Sequence, residues 1–210
     1  MIPDLPQRLL AALSQPLPGL DAQLRMAPTP RPGWDPFKLP EGTRDGAVLL
    51  LVYPHDETYH LPLTVRGSGL RNHTGQVSLP GGGVDAGETI EAAALREAEE
   101  EIGVDRASVQ VLGRLTPLHV PVSGFLLHPV VGFVSVRPVF NRAEWEVARI
   151  IEPSIALLRN PETVKRERRT RAAGGQTTDI DVPFFDIESE KVWGATAMVL
   201  AEFCAILADL

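Results

Sequence analysis

Three glutamates in the segment REAEEEIG, residues 96–103, have a spacing that suits metal binding. On an α-helix, at about 100° per residue, Glu97, Glu100 and Glu101 fall within an arc of about 100° on one face. Acidic residues three or four apart repel one another, and the single cation of Arg96 cannot neutralise all three. Because carboxylate oxygens are preferred ligands of hard divalent cations, the pattern indicates a site for Mg²⁺ or Mn²⁺.

The acidic face also has a plainer interpretation. Runs of charge usually mark a solvated surface, and an E-x-x-E-E triplet alone would favour such a surface. The preceding segment LPGGG, residues 79–83, supports the metal site instead. Glycine lets the backbone turn tightly, so that a carbonyl such as that of Gly82 can approach the same cation.

These residues belong to a longer pattern. The stretch from Gly82 to Val104 resembles the Nudix box, G-x5-E-x7-R-E-U-x-E-E-x-G-U, where U is an aliphatic residue. The matching positions are Gly82, Glu88, Arg96, Glu97, Glu100, Glu101, Gly103 and Val104, while Ala98 is smaller than the usual aliphatic residue. The resemblance implies the Nudix fold, an α/β (α+β) sandwich with a mixed β-sheet between helices and the box as a loop–helix–loop. It also implies hydrolysis of a nucleoside diphosphate linked to another moiety.

The resemblance implies roles within the box. Glu97, Glu100 and Glu101 would bind the metal, Arg96 would orient a glutamate, and Glu88 would brace the loop. The chemistry suits these residues, because divalent ions stabilise charge on phosphoryl oxygens and lower the pKa of an attacking water. A carboxylate that the metal does not fully engage can take the proton of that water.

The general base has three candidates. In many Nudix enzymes a glutamate from a loop outside the box supplies a metal ligand or the base, and Glu146 in the segment EWE is the candidate for that role. Glu97 and Glu100 compete with it from inside the helix.

A second motif precedes the box. Residues 62–82, PLTVRGSGLRNHTGQVSLPGG, resemble the pattern L-L-T-x-R-[SA]-x3-R-x3-G-x3-F-P-G-G of the coenzyme A pyrophosphatase branch of Nudix enzymes. The matching positions are Leu63, Thr64, Arg66, Arg71, Gly75, Pro80, Gly81 and Gly82, and the departures are Pro62, Gly67 and Leu79. Segments 124–132 and 192–200 also resemble this branch, so the likeness covers roughly residues 45–207.

The second motif implies a substrate. Coenzyme A (CoA), oxidised CoA or acyl-CoA would be cleaved to adenosine 3′,5′-bisphosphate and 4′-phosphopantetheine or its derivative. Arginine is the side chain best shaped for phosphate. Arg66, Arg71, His73 and Gln76 are therefore predicted to bind the substrate, with Arg66 and Arg71 reading the ribose 3′-phosphate.

Other interpretations stay open at this stage. Arg66 could simply end a strand, Arg71 could be a surface charge, and Gln76 could stabilise the loop. The substrate could instead be ADP-ribose, a nucleotide sugar, a dinucleotide or an oxidised nucleotide. A non-catalytic module that senses a nucleotide is the alternative from a different functional class.

Hydrophobic patterning predicts the elements that position these residues. Strands are predicted at 46–54, 59–66, 109–115 and 126–136, with 59–66 as the hairpin partner of 46–54. Helices are predicted at 5–14, 88–102 and 194–207, and from an N-cap at Ser154 to Leu158. A basic hairpin is predicted at 162–171 and 177–187. We favour a hairpin exposed to solvent, and the alternative is a hairpin that reaches the substrate or a second subunit. Trp193 is predicted to pack in the core or against that hairpin.

The N-terminal segment differs in composition from the rest. Residues 15–42 are rich in Pro and Gly and predict an extended arm over the surface, with Trp34 and Phe37 packed down. The predicted division is an N-terminal helix and arm at 1–44 and a Nudix hydrolase domain at 45–210.

Bulk properties exclude several functional classes. The chain has 210 residues and a formal net charge of -7, which disfavours general nucleic-acid binding and leaves a small anionic substrate possible near local cations or a metal. No secretory signal or membrane-spanning run is evident in the sequence. The single cysteine, Cys204, is predicted to be a buried thiol. Together these features predict a cytoplasmic location. A homodimer is plausible because symmetric dimers are the commonest soluble oligomers.

Overall fold

The structure, a computed structural model, describes residues 4–31, 34–35, 38–67, 76–173 and 176–210. Its helices are α1 Leu5–Leu13, α2 Gly19–Gln23, α3 Ile90–Ile102, α4 Ile155–Arg159 and α5 Ala195–Ala208. Its strands are β1 Arg44–His55, β2 Thr58–His60, β3 Leu63–Arg66, β4 Val77–Ser78, β5 Gly81–Gly83, β6 Gln110–Arg114, β7 Leu118–Val120, β8 Phe125–Phe133, β9 Val147–Ile151, β10 Val164–Ala173, β11 Gln176–Ile187 and β12 Glu190–Trp193. None of these helices is both long and apolar enough to cross a bilayer.

Strand β1 is the centre of the largest sheet, and both of its faces are buried. It runs parallel to β8 and antiparallel to β2 and β5, so the sheet is mixed. Alternating residues serve two cores: Val48 and Leu50 join a cluster with α1 and α5, whereas Leu49 and Leu51 join a cluster with α3. Helices therefore cover both faces of the sheet, and the predicted mixed-sheet sandwich is confirmed.

Two smaller sheets flank the large one, with strand orders β4-β3-β9 and β10-β11-β12. The predicted hairpin of 46–54 with 59–66 is right only for its first part, because Thr58–His60 alone pairs with β1. The strand breaks at Pro62, which has no backbone N–H to donate to a ladder. Beyond the break, β3 pairs with β4 and β9 instead.

The N-terminal segment is more helical than the sequence predicts. The predicted extended arm at 15–42 contains α2 and a 3₁₀ turn at Leu24–Met26, so the prediction is wrong there. Leu5 and Leu9 of α1 are completely buried in the core, and Trp34 packs against the same cluster. Phe37 lies outside the described residues.

A buried carboxylate explains why α2 forms. Glu202 of α5 has no exposed surface and accepts hydrogen bonds from Gln23 Nε2 at 2.8 Å, Gly19 N at 3.1 Å and Thr116 Oγ1 at 2.6 Å. A buried charge needs such partners, and these fix the start and end of a helix too short to be stable alone. Thr29 then pairs with Asp181 of β11 through backbone bonds of 2.9 and 2.7 Å. The division at residue 44 remains a prediction.

Helix α3 has clear boundaries in the sequence. Thr89 caps its start by accepting a hydrogen bond from Ala92 N at 3.2 Å, and Gly103 ends it with a φ of 72°. Ala94 and Ala98 face the sheet and have no exposed surface. Their small side chains let α3 lie close to β1, and this accounts for Ala98 where a bulkier aliphatic residue is usual.

Candidate active site

The glycine segment β5 lies between β1 and α3 and leaves no room for side chains. A Cβ on Gly81 would lie 2.3 Å from the carbonyl oxygen of Ala47 in β1. A Cβ on Gly82 would lie 2.5 Å from the carboxylate of Glu97. Glycine at both positions therefore brings the loop backbone against the acidic face of α3.

Arg96 connects the loop to that acidic face. Its Nε and Nη2 each donate to Glu88 at 3.0 Å, while Nη2 also donates to the carbonyl of Gly83 at 3.0 Å. Its Nη1 donates to Glu97 at 2.8 Å. The Glu88 carboxylate raises the pKa of Arg96 and Arg96 lowers that of Glu88, so both groups stay charged.

The three acidic residues of the predicted metal site have unequal surroundings. Glu97 is mostly buried between Arg96 and Gly82. Glu100 has 59% of its side chain exposed and lies 3.5 Å from Arg96 Nη1. Glu101 is buried, and its Oε2 accepts a hydrogen bond from Gly81 N at 3.4 Å.

Glu101 is the most perturbed carboxyl group of the site. Burial raises its pKa to about 8, and the negative charges of Glu146 and Glu97 add to the rise, against the hydrogen bond from Gly81 and the charge of Arg66. A carboxyl group held among other carboxylates is one whose charged form a cation would stabilise.

The structure places Glu146 next to this group. A turn after α3 positions it: Ala143 N donates to the carbonyl of Glu101 at 2.9 Å, and Glu146 N donates to that of Ala143 at 3.0 Å. Its Oε1 lies 3.7 Å from Nη2 of Arg66. Nε of Arg66 is buried and has no hydrogen-bond partner among the described residues.

A divalent cation suits this donor set. As the side chains stand, the described residues contain no group of three His, Cys, Asp or Glu arranged to hold an ion directly. In this arrangement Arg96 donates to Glu97 at 2.8 Å and to Glu100 at 3.5 Å. The acidic oxygens, the burial of Glu101 and the excess of negative charge are those expected where Mg²⁺ or Mn²⁺ binds.

A cavity of about 690 Å³ lies against this acidic group. Glu101, Gly81, Arg66 and Gln76 line it, so two of the four residues predicted to bind substrate face the same space as the buried carboxylate. Much of the remaining lining is apolar, including Val120, Phe125, Leu127, Ile180 and Val199. Arg71 and His73, the other two predicted residues, lie outside the described residues.

Part of the lining was not predicted as a site. Arg169 and Thr170 of the basic strand β10 reach the cavity, although a solvated hairpin was the favoured interpretation. Trp193 lines the cavity as well and stacks against Arg169. Pro28, Pro30 and Arg31 bring the N-terminal segment to the same wall.

Comparison with known proteins agrees with this geometry. A NUDIX domain profile matches residues 43–153. The chain is 35% identical over 193 residues to "Uncharacterized Nudix hydrolase NudL" of Pectobacterium atrosepticum, covering 89% of this chain and 91% of the relative. It is 33% identical over 185 residues to the protein of the same name in Photorhabdus laumondii, covering 85% and 89%. Among solved structures, the Nudix hydrolase RenU of M. smegmatis has a TM-score of 0.54 at 16% identity, covering 80% of this chain and 88% of RenU, which shows a shared fold.

Proposed function

Because this chain belongs to the Nudix hydrolase family, we propose that it is a metal-dependent pyrophosphohydrolase of coenzyme A or its derivatives. It would cleave the diphosphate to give adenosine 3′,5′-bisphosphate and 4′-phosphopantetheine or its acyl or oxidised form. Proteins of this family act on small nucleotide-linked substrates and use divalent cations such as Mg²⁺ or Mn²⁺.

One observation carries the choice of substrate. Arg66 and Gln76, both from the segment that resembles the CoA pyrophosphatase motif, line the cavity that contains Glu101. A diphosphate in this cavity would therefore meet a guanidinium group beside the carboxylates. The mostly apolar remainder of the cavity suits a substrate with bulky organic groups on both sides of its diphosphate.

The residues divide the chemistry among them. Glu97, Glu100 and Glu101 would hold the cation, with the backbone of Gly82 alongside. When bound, the cation would stabilise phosphoryl charge and acidify the attacking water. Arg96 positions Glu97 through its hydrogen bond of 2.8 Å and would release Glu100, which it contacts only at 3.5 Å.

Glu146 is the proposed general base. It faces Arg66 at 3.7 Å and lies near enough to Glu101 for its charge to affect that group. The other candidates are less suitable, since Arg96 holds Glu97 and Glu100 faces solvent. Arg66 would bind the diphosphate while Glu146 takes the proton of the water.

Substrate profiling with product identification tests the proposal. The purified chain would be assayed with CoA, acetyl-CoA, oxidised CoA and ADP-ribose at saturating Mg²⁺ and at saturating Mn²⁺. We expect kcat/KM to be highest for a CoA compound, with adenosine 3′,5′-bisphosphate as a product. Preferred turnover of ADP-ribose would identify a different Nudix substrate, and no turnover of any compound would contradict catalysis. The predicted homodimer, cytoplasmic location and absence of nucleic-acid binding remain predictions.

A further inference from the structure

The lining of the cavity has two origins. Arg66, Gln76 and Glu101 come from within residues 43–153, the part that matches the NUDIX profile. A second set comes from outside that range and includes Arg169, Thr170, Ile180 and Trp193; we call these four residues the C-terminal wall. The shared catalytic unit therefore does not supply this wall, and a contact that selects among substrates fits there.

Arg169 and Trp193 form a stacked pair within the C-terminal wall. The guanidinium carbon of Arg169 lies 4.4 Å from the centre of the Trp193 ring. Nε and Nη2 of Arg169 face one oxygen of Glu167, whose other oxygen pairs with Lys191. Stacking and ion pairing together fix the guanidinium, so little conformational freedom is lost when it binds a ligand.

In the stacked pair of Arg169 and Trp193, Arg169 carries a positive charge that can bind an anion. Arg169 and Lys191 share the carboxylate of Glu167, whereas the nearby carboxylate of Asp179 accepts a hydrogen bond from Thr170 Oγ1 at 2.9 Å. Nη1 of Arg169 has no acceptor among the described residues, and the side chain is 35% exposed. A guanidinium with a free edge beside an indole ring can bind a phosphate and a planar aromatic ring at once.

We propose that Arg169 and Trp193 bind the adenosine 3′-phosphate end of the substrate, Trp193 by stacking on the base and Arg169 by pairing with the 3′-phosphate. This rests on the proposed function. Arg66, predicted from the sequence to read the 3′-phosphate, lies instead among the carboxylates, where the diphosphate would bind. The second phosphate therefore needs a cation elsewhere in the cavity. Arg31 also lines the cavity, with its guanidinium stacked on Trp34 at 3.9 Å.

The test for Arg169 compares two substrates that differ by one phosphate. We would measure kcat and KM with CoA and 3′-dephospho-CoA for the wild type, Arg169→Met, Arg169→Lys and Arg168→Met. Loss of a charge-assisted phosphate contact should lower kcat/KM for CoA by about 10- to 100-fold in Arg169→Met, mainly through KM. The value for 3′-dephospho-CoA should fall much less, so that the ratio of the two values decreases, and Arg169→Lys should recover part of the preference. Arg168 is the matched control, because this neighbouring arginine of β10 is exposed and does not line the cavity.

The test for Trp193 separates stacking from charge. Trp193→Leu should raise KM for both substrates by about 5- to 20-fold with kcat nearly unchanged, because base–aromatic stacking does not depend on the phosphate. Trp193→Phe keeps an aromatic ring and should keep most of the affinity. This variant distinguishes loss of stacking from a folding defect in Trp193→Leu.

A binding experiment gives a readout that does not depend on turnover. Calorimetric titration in EDTA would compare adenosine 3′,5′-bisphosphate with 5′-AMP. We expect the wild type to bind the bisphosphate at least about 10-fold more tightly and Arg169→Met to lose that difference.

The outcomes distinguish this inference from the proposed function. CoA hydrolysis with equal kcat/KM for both substrates in the wild type would overturn the inference and leave the function standing. A preference for CoA that survives in Arg169→Met but disappears in Arg66→Met would also overturn it. If no CoA compound is hydrolysed, the proposed function fails. If, in addition, Arg169→Met binds adenosine 3′,5′-bisphosphate as tightly as the wild type does, the inference is overturned as well.

Discussion

Two charged regions reach the same cavity, one through Glu101 and Arg66 and the other through Arg169. Around Glu101, the acidic end holds five carboxylates, Glu88, Glu97, Glu100, Glu101 and Glu146, against the cations of Arg66 and Arg96. In the C-terminal wall and its contacts, Arg169 and Lys191 share the carboxylate of Glu167, and Asp179 accepts a hydrogen bond from Thr170. The acidic end is thus suited to a cation, while the free edge of Arg169 gives the C-terminal wall a group that can bind an anion.

The regions also differ in how tightly the backbone constrains them. At the acidic end, β5 lies so close to β1 and α3 that any side chain on Gly81 or Gly82 would collide with neighbouring atoms. In the C-terminal wall, side chains alone make the arrangement, through a stack of 4.4 Å and shared ion pairs. Substitutions should therefore be far more damaging at the acidic end than at the wall.

Among changes to the glycine loop and its anchor, the largest expected effect comes from Gly82→Ala. The new Cβ would lie 2.5 Å from the Glu97 carboxylate and displace it. Misplacing a catalytic group by about 1 Å costs on the order of 100-fold, so we expect that loss in kcat. Gly83→Ala is the matched control, because its Cβ would have nothing within 4 Å, and it should keep most of the activity. Equal losses in the two variants would show that general loop damage, and not the Glu97 contact, is responsible.

Arg96→Lys should have a smaller effect. Lysine cannot reproduce the two bonds of 3.0 Å to Glu88 while also reaching Glu97, so the loop and the carboxylate would lose their common anchor. We expect kcat to fall by about 10-fold, as for other residues that orient metal ligands. Arg106→Lys removes a comparable exposed pair with Glu99 and should leave kcat unchanged. An unaltered kcat in Arg96→Lys would argue against a positioning role.

The smallest expected effect is a difference in titration between the two regions. In metal-free protein, burial raises the pKa of Glu101 to about 8, whereas pairing with Lys191 lowers the pKa of Glu167. Carboxyl ¹³C NMR in EDTA should show these opposite directions. By linkage, Glu101 should lower the free energy of unfolding as pH rises from its unfolded-state pKa of about 4.3 to about 8. Glu167 should stabilise the protein above its unfolded-state pKa, and this stabilisation should be lost as pH falls below that value. Glu101 titrating in the ordinary acidic range would contradict its burial.

The acidic end could be predicted from the sequence because it is local. Residues 82–104 form one continuous segment, and the positions of its glycines and glutamates relate directly to one helix and the loop before it. Glu146 is more distant, yet the structure places it beside Arg66 through the turn that follows α3.

The C-terminal wall could not be predicted in the same way. Arg169 and Trp193 come from strands more than 60 residues beyond the box, and alternation along a strand does not reveal what its face will meet. The basic composition of β10 also favoured a solvated hairpin. Similarly, α2 depends on Glu202, a partner far along the chain, and its short sequence carries little helix signal.

The most direct test of the central claim is the rate of CoA hydrolysis as a function of Mg²⁺ and Mn²⁺ concentration in the wild type, Glu101→Gln and Glu99→Gln. Glu99 is the control, because it belongs to the same helix but pairs with Arg106. The account predicts no rate in EDTA, restoration by either metal in the wild type and Glu99→Gln, and a loss of at least about 100-fold in Glu101→Gln. Hydrolysis that persists in EDTA, or that Glu101→Gln leaves intact, would contradict it.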